Sequence, residues 1–132
     1  MRREMMSCLA LAGLSVSLTG LGAAVEREFA ASCDGSVERY VEIVPDDFRA
    51  EAGALIALHG HGSDRHQFAQ DTRGECRAAR EAAASRGMLY VSPDYRAKTS
   101  WMGPKAESDI LDLLKKLRAD YGVTRFFFCG GS

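Results

Sequence analysis

The seven residues Phe126-Phe127-Phe128-Cys129-Gly130-Gly131-Ser132 decide how the chain is read. A short, continuous apolar run bounded by glycine has the pattern of a strand buried on both faces. This one passes straight into two glycines and a serine. Small residues let the backbone turn steeply there and let a following helix start close to the strand. A serine on such a turn is held out as a nucleophile in the pattern Gly-x-Ser-x-Gly, of which Gly130, Gly131 and Ser132 supply the first part. Gly-Gly-Ser is equally an ordinary flexible loop. The choice depends on what the rest of the chain places beside it.

Upstream, Pro104 opens a helix that Gly122 ends. Ile110, Leu113, Leu114, Leu117 and Tyr121 recur at helical spacing on one face, and Asp112 with Lys116 makes an i,i+4 pair on the other. Before it, Met88 to Ser92 reads as a strand closed by Pro93, and the loop Asp94 to Gly103 holds the only tryptophan, Trp101. A second helix is expected from Thr72 to Arg86. Thr72 and Glu75 have capping-box spacing, and Gly87 stands where a glycine cap belongs. Its buried face, Cys76, Ala79, Ala82 and Ala83, is small enough to lie close on a sheet.

Ala54 to Leu58 is continuously apolar and reads as a buried strand. Val37 to Val44 alternates, which predicts a half-exposed strand ended by Pro45-Asp46-Asp47. Residues 25–36 support no assignment. Strands alternating with helices over short links predict an α/β fold with a mostly parallel sheet, flanking helices and right-handed crossovers. Ligands in such sheets sit at the carboxyl ends of the strands. Two unusual loops lie at those ends: Gly130 to Ser132, and His59-Gly60-His61-Gly62-Ser63-Asp64.

Acyl transfer through serine needs a nucleophile, a base, a group that orients the base, and donors for the developing oxyanion. Ser132 is the candidate nucleophile. A buried strand ending in His-Gly-x-Gly supplies the donors through its backbone, and the N–H of His61 or Gly62 is expected to be one of them. His59, Gly60, Gly130 and Gly131 support the two loops. The other donor would come from the residue after the nucleophile. A metal site at His59, His61 and His66 is not expected, because no Asp, Glu or Cys accompanies them at zinc spacing.

With both loops in view, the chain resembles the N-terminal half of an α/β-hydrolase domain, in the esterase and prolyl-oligopeptidase-like branch. The resemblance rests on Leu58-His59-Gly60-His61-Gly62-Ser63, Ser92-Pro93-Asp94-Tyr95-Arg96, Trp101-Met102-Gly103, and Gly122-Val123 through Ser132. It covers roughly residues 37–132 and implies that the oxyanion strand and the nucleophile strand are neighbours. It implies a serine hydrolase acting on carboxylic esters or peptides through an acyl-enzyme, with no cofactor and no metal. In that fold the acid and the histidine follow the nucleophile. His59, His61 and His66 precede Ser132 and are therefore not the base. Asp94, Glu107 and Asp109 read as loop and helix-surface residues, not as the acid. Tyr95, Arg96 and Trp101 are candidates for the cleft wall. The 132 residues are expected to be a fragment truncated at the nucleophile, inactive alone and prone to aggregate through the edge of Phe126 to Phe128. Ester hydrolysis is favoured over peptide hydrolysis because no propeller-like domain precedes the fold. The rival is a non-catalytic exported α/β domain that binds a ligand at the same loops.

Composition narrows the partners. With 17 basic against 18 acidic residues, nothing points to nucleic acid, and the expected partner is a small ester or peptide substrate. Residues 1–24 differ from the rest: Arg2 and Arg3 precede a charge-free stretch, Met5 to Ala24, that ends in small residues. That is the pattern of a secretory signal peptide, so a periplasmic or extracellular location is expected, with residues 25–132 as the domain. Cys33, Cys76 and Cys129 would remain, an odd number that allows one internal bridge, with Cys33–Cys76 the pairing considered.

Overall fold

The structure is a computed structural model that describes residues 20–131. The Ser132 assignment lies outside those residues, as does all but the last part of the signal-peptide reading. The elements in chain order are β1 (Ala24–Ala30), β2 (Val37–Ile43), β3 (Ala54–Leu58), α1 (His66–Gln70), α2 (Gly74–Ser85), β4 (Leu89–Pro93), α3 (Pro104–Tyr121) and β5 (Phe126–Gly130). The strands form one sheet in the order β1-β2-β4-β3-β5. β3 runs parallel to both β4 and β5, while β2 is antiparallel to β4 and to β1. The carboxyl ends of β3, β4 and β5 therefore share one edge of the sheet.

Side-chain alternation along the central strands splits the core into two layers. Ala54, Ile56, Leu89 and Val91 face α3, whose Leu113 and Leu117 are fully buried together with Tyr40 of β2 and Val123 just after the helix. Ala57, Tyr90 and Ile43 face the other side, against Phe68 of α1 and Cys76 and Ala83 of α2. The alanine-rich face of α2 is what permits that close approach. Gly122, at φ +71°, ends α3 in the left-handed conformation that glycine adopts without cost. At Gly53, φ is +89° and an added Cβ would lie 2.5 Å from the Arg125 carbonyl oxygen, so β3 and β5 begin pressed together.

Several expectations are corrected. β1 was not assigned from sequence, yet it pairs with β2 along its full length, from Ala24↔Ile43 to Ala30↔Val37. β2 is not half-exposed: Glu38, Tyr40, Val41, Glu42 and Ile43 are all buried. Its acidic side chains go inside because each meets donors there. Glu42 Oε1 accepts from Arg27 Nε and the Tyr121 hydroxyl, both at 2.7 Å. Burial, and then Glu42, push the Tyr121 phenol up to about 12, so it stays protonated as a donor.

The helix expected from Thr72 begins at Gly74, and the separate α1 precedes it. No capping box forms, because the Asp71 carboxylate takes the Arg73 N–H at 2.8 Å and sets the entry turn itself. Asp112 does not pair with Lys116. Its carboxylate accepts the N–H and the hydroxyl of Ser32, at 2.8 and 2.9 Å, and Lys116 turns to Asp120. Asp109 is not a surface residue; it is 1% exposed. Cys33 and Cys76 are unpaired, one exposed and the other in the core under α2. Finally, β5 is an edge strand among the described residues. Phe127 and Phe128 are exposed, with the Arg125 guanidinium 5.5 Å from the Phe127 ring centroid.

Candidate active site

β3 and β5 bring the two special loops together. Their parallel register places Leu58 opposite Gly130, so the His59 loop and Gly131 leave the sheet side by side. Gly130 suits that closeness: a Cβ there would stand 3.1 Å from the Leu58 carbonyl oxygen, so any larger residue would have to move the neighbouring strand by a few tenths of an ångström. Between the loops lies a cleft of about 140 Å³, walled by His59, Gly60, His61, Tyr95, Trp101 and Gly131 among others. Ser132 follows Gly131 directly in the chain. A larger hollow of about 620 Å³ lies at the opposite end of the strands, beside Leu55, Met88 and Phe127, and its wall contains no serine, cysteine or histidine.

The loop after β3 is held by its own glycines. The Gly60 N–H donates to Gln67 Oε1 at 2.7 Å. The Gly62 N–H donates to the Lys98 carbonyl at 2.8 Å, at a φ of +82°. Of the two backbone groups expected to face an oxyanion, Gly62 is thus committed to tethering the loop. The His61 N–H has no acceptor among the described residues.

The three histidines part company. His59 is buried, with Nδ1 2.9 Å from the Gly60 carbonyl oxygen and Nε2 3.0 Å from that of Asp94. Its ring stacks on Tyr95 at 4.4 Å between centroids. The Tyr95 hydroxyl donates to the His59 carbonyl, and burial pushes that phenol above its ordinary value, which keeps it a donor. His61 lies beside Trp101, with centroids 5.1 Å apart. His66 Nε2 is 3.1 Å from Glu26 Oε1 and is not a wall of the cleft. Among the described residues, no group of three His, Cys, Asp or Glu side chains is arranged to hold a metal.

Asp94, Tyr95 and Arg96 each fasten a different part of the site. Asp94 takes the Arg65 N–H at 2.9 Å and the Arg65 guanidinium at 3.0 Å, which pins the far end of the loop after β3. Arg96, at φ +87°, turns away from the cleft, which corrects its candidacy as a wall. Its guanidinium grips the Asp109 carboxylate through two bonds, at 2.9 and 2.8 Å, and reaches Asp34 at 2.9 Å. Its N–H donates to Glu38 Oε2 at 3.0 Å. Hydrogen bonding to Asp109 raises the Arg96 guanidinium further, while burial holds Asp109 and Glu38 above their ordinary values. The Ser36 bonds hold the Asp34 carboxyl well below the usual range. Gln67, Lys98 and Arg65 were not singled out from sequence. Each acts through contacts between distant segments that no local pattern announces.

No protein-family model matches the chain, and no curated protein is significantly similar to it. Solved structures are. The S-formylglutathione hydrolase of Staphylococcus aureus superposes with a TM-score of 0.63 at 16% identity, over 85% of this chain and 49% of that one. A ferulic acid esterase of the anaerobic fungus Anaeromyces mucronatus gives 0.62 at 15% identity, over 95% and 55%. An esterase of Pyrococcus furiosus gives 0.61 at 20% identity, over 83% and 42%. At these identities the likeness is one of fold: the chain has α/β-hydrolase architecture and spans about half the length of the solved chains it matches.

Proposed function

We propose that the protein is an exported serine hydrolase that cleaves carboxylic esters through an acyl-enzyme on Ser132. The observation that supports this reading is the register of Leu58 with Gly130, which brings the loop of residues 59–62 and Gly131 to one cleft. The Ser132 hydroxyl gives its proton to a base and bonds to the ester carbonyl carbon. The carbonyl oxygen takes up the negative charge and receives the His61 N–H. The ester C–O bond then breaks, the alcohol leaves with a proton, and water releases the acid and frees the serine. Neither cleft histidine serves as the base: His59 has both ring nitrogens against carbonyls, and in this fold the base follows the nucleophile. The esterases among the similar structures support an ester over a peptide substrate.

A fluorophosphonate probe is expected to label Ser132 in the intact protein, because such probes need an activated serine and not merely an exposed one. Peptide mapping of the adduct reads this directly. Labelling at another serine would remove Ser132 as the nucleophile, and no labelling leaves the rival ligand-binding domain as the reading. Export follows from the basic start and charge-free run before Ala24. N-terminal sequencing of protein from a bacterial host should find Val25 first, which would leave β1 whole but for its first residue. An intact Met1 would overturn it.

A further inference from the structure

The loop that closes the cleft is built from the wrong residues for its shape. The Gly103 N–H donates to the Ser100 carbonyl at 3.0 Å, closing a tight turn whose central residues are Trp101 and Met102. Both are left-handed, at φ +49° and +52°. Such turns take glycine, asparagine or aspartate at those positions, and bulky residues there are strained. Burial against the described residues does not compensate, since Trp101 is 77% and Met102 39% exposed there. Folding alone therefore does not account for an indole at this position. Backbone strain that the fold does not need is a pointer to function.

The place of the indole says which function. Trp101 stands at the cleft wall with the His61 ring 5.1 Å away and tilted by 40°. The same loop is tied to the oxyanion loop through the Gly62–Lys98 hydrogen bond, so the indole keeps its position relative to the His61 N–H. We infer that Trp101, flanked by His61, is a stacking platform at the mouth of the cleft that selects esters carrying a planar aromatic ring. A flat ring laid on an open indole face gains offset-stacked contact with the π-system, and the imidazole offers a second ring at its side. A saturated ring of the same size is puckered and gains area alone. This substrate class rests on the esterase reading above, but the platform itself is a binding site that can be tested without turnover.

Two measurements on the intact protein separate the claims. The first is calorimetric binding of 3-phenylpropanoate against 3-cyclohexylpropanoate. The second is kcat/KM for the methyl esters of the same two acids. The phenyl ligand and ester should be preferred by roughly three- to tenfold, the size of an aromatic pair. Trp101→Ala should erase the preference in both measurements, and Trp101→Phe should keep most of it. If no ester is turned over but phenyl binding is preferred and needs Trp101, the esterase reading fails and the platform stands. If esters are turned over and Trp101→Ala leaves the phenyl-to-cyclohexyl ratio unchanged, the platform is overturned. Equal binding of the two acids by the wild type overturns it as well.

Discussion

Ser132→Ala should lower the turnover of a small aryl ester by the intact protein about 10⁴-fold or more, since members of a catalytic triad act as a unit. The structure sharpens what should accompany that loss. Gly131 lines the cleft and Gly130 lies against Leu58, so the chain arrives at position 132 beside the loop that carries His61. His61→Ala keeps that backbone group and should cost such a substrate far less than Ser132→Ala. Gly62→Pro cannot adopt the observed φ of +82° and removes the N–H that holds the loop to Lys98. It should displace the donor and cost about 10²-fold, the scale of one lost oxyanion donor. Steady-state kinetics on the three variants gives the order directly. Turnover of Ser132→Ala equal to wild type would rule out Ser132 as the nucleophile.

Which parts of this arrangement are legible in the sequence follows from the range of the forces involved. The central strands, the long helix and the two loops are written in local patterns: continuous apolar runs, helical spacing from Ile110 to Tyr121, glycines at chain reversals. The three parallel strands β3, β4 and β5 appeared where expected, within a residue or two at their ends. β1 was illegible because residues 25–36, with mixed charges such as Glu26, Arg27 and Glu28 among small residues, show no periodicity. It becomes a strand by pairing with β2, where Arg27 meets Glu42 and Phe29 packs on Tyr40. β2 misled in the opposite direction, since alternating acids normally face water. Only the cations and hydroxyls brought in from β1, α3 and the Asp94 loop make burial of Glu38 and Glu42 tolerable. In the site, the His-Gly-x-Gly stretch was legible as a special loop at the carboxyl end of β3, and it lines the cleft beside Gly131. The commitment of Gly62 to Lys98 was not, because residues 62 and 98 meet only when β3 and β4 lie side by side.

Arg96→Ala should lower Tm by about 10 °C or more, and the size of the drop should depend on pH. One guanidinium serves three carboxylates, from the β1–β2 turn (Asp34), β2 (Glu38) and α3 (Asp109). Asp109 is 1% and Glu38 6% exposed, so truncating Arg96 strands two buried acids with no cation between them. Arg96→Lys should recover little, because an ammonium cannot grip the Asp109 carboxylate through two parallel bonds while also reaching Asp34. Burial already raises both buried acids in the folded protein. A carboxyl raised on folding favours the folded state below its ordinary value near 4, and that contribution is lost as the pH rises through the raised one. Removing Arg96 raises both acids further and widens that window. The Tm deficit of Arg96→Ala should therefore be largest near neutral pH and narrow as the pH is lowered toward about 5, where the stranded acids take up protons. Calorimetric scans of wild type and variant across this range would decide the matter. A deficit that is constant with pH would mean that Arg96 acts through packing alone, and one that grows on acidification would mean that the buried carboxylates are not the groups it stabilises.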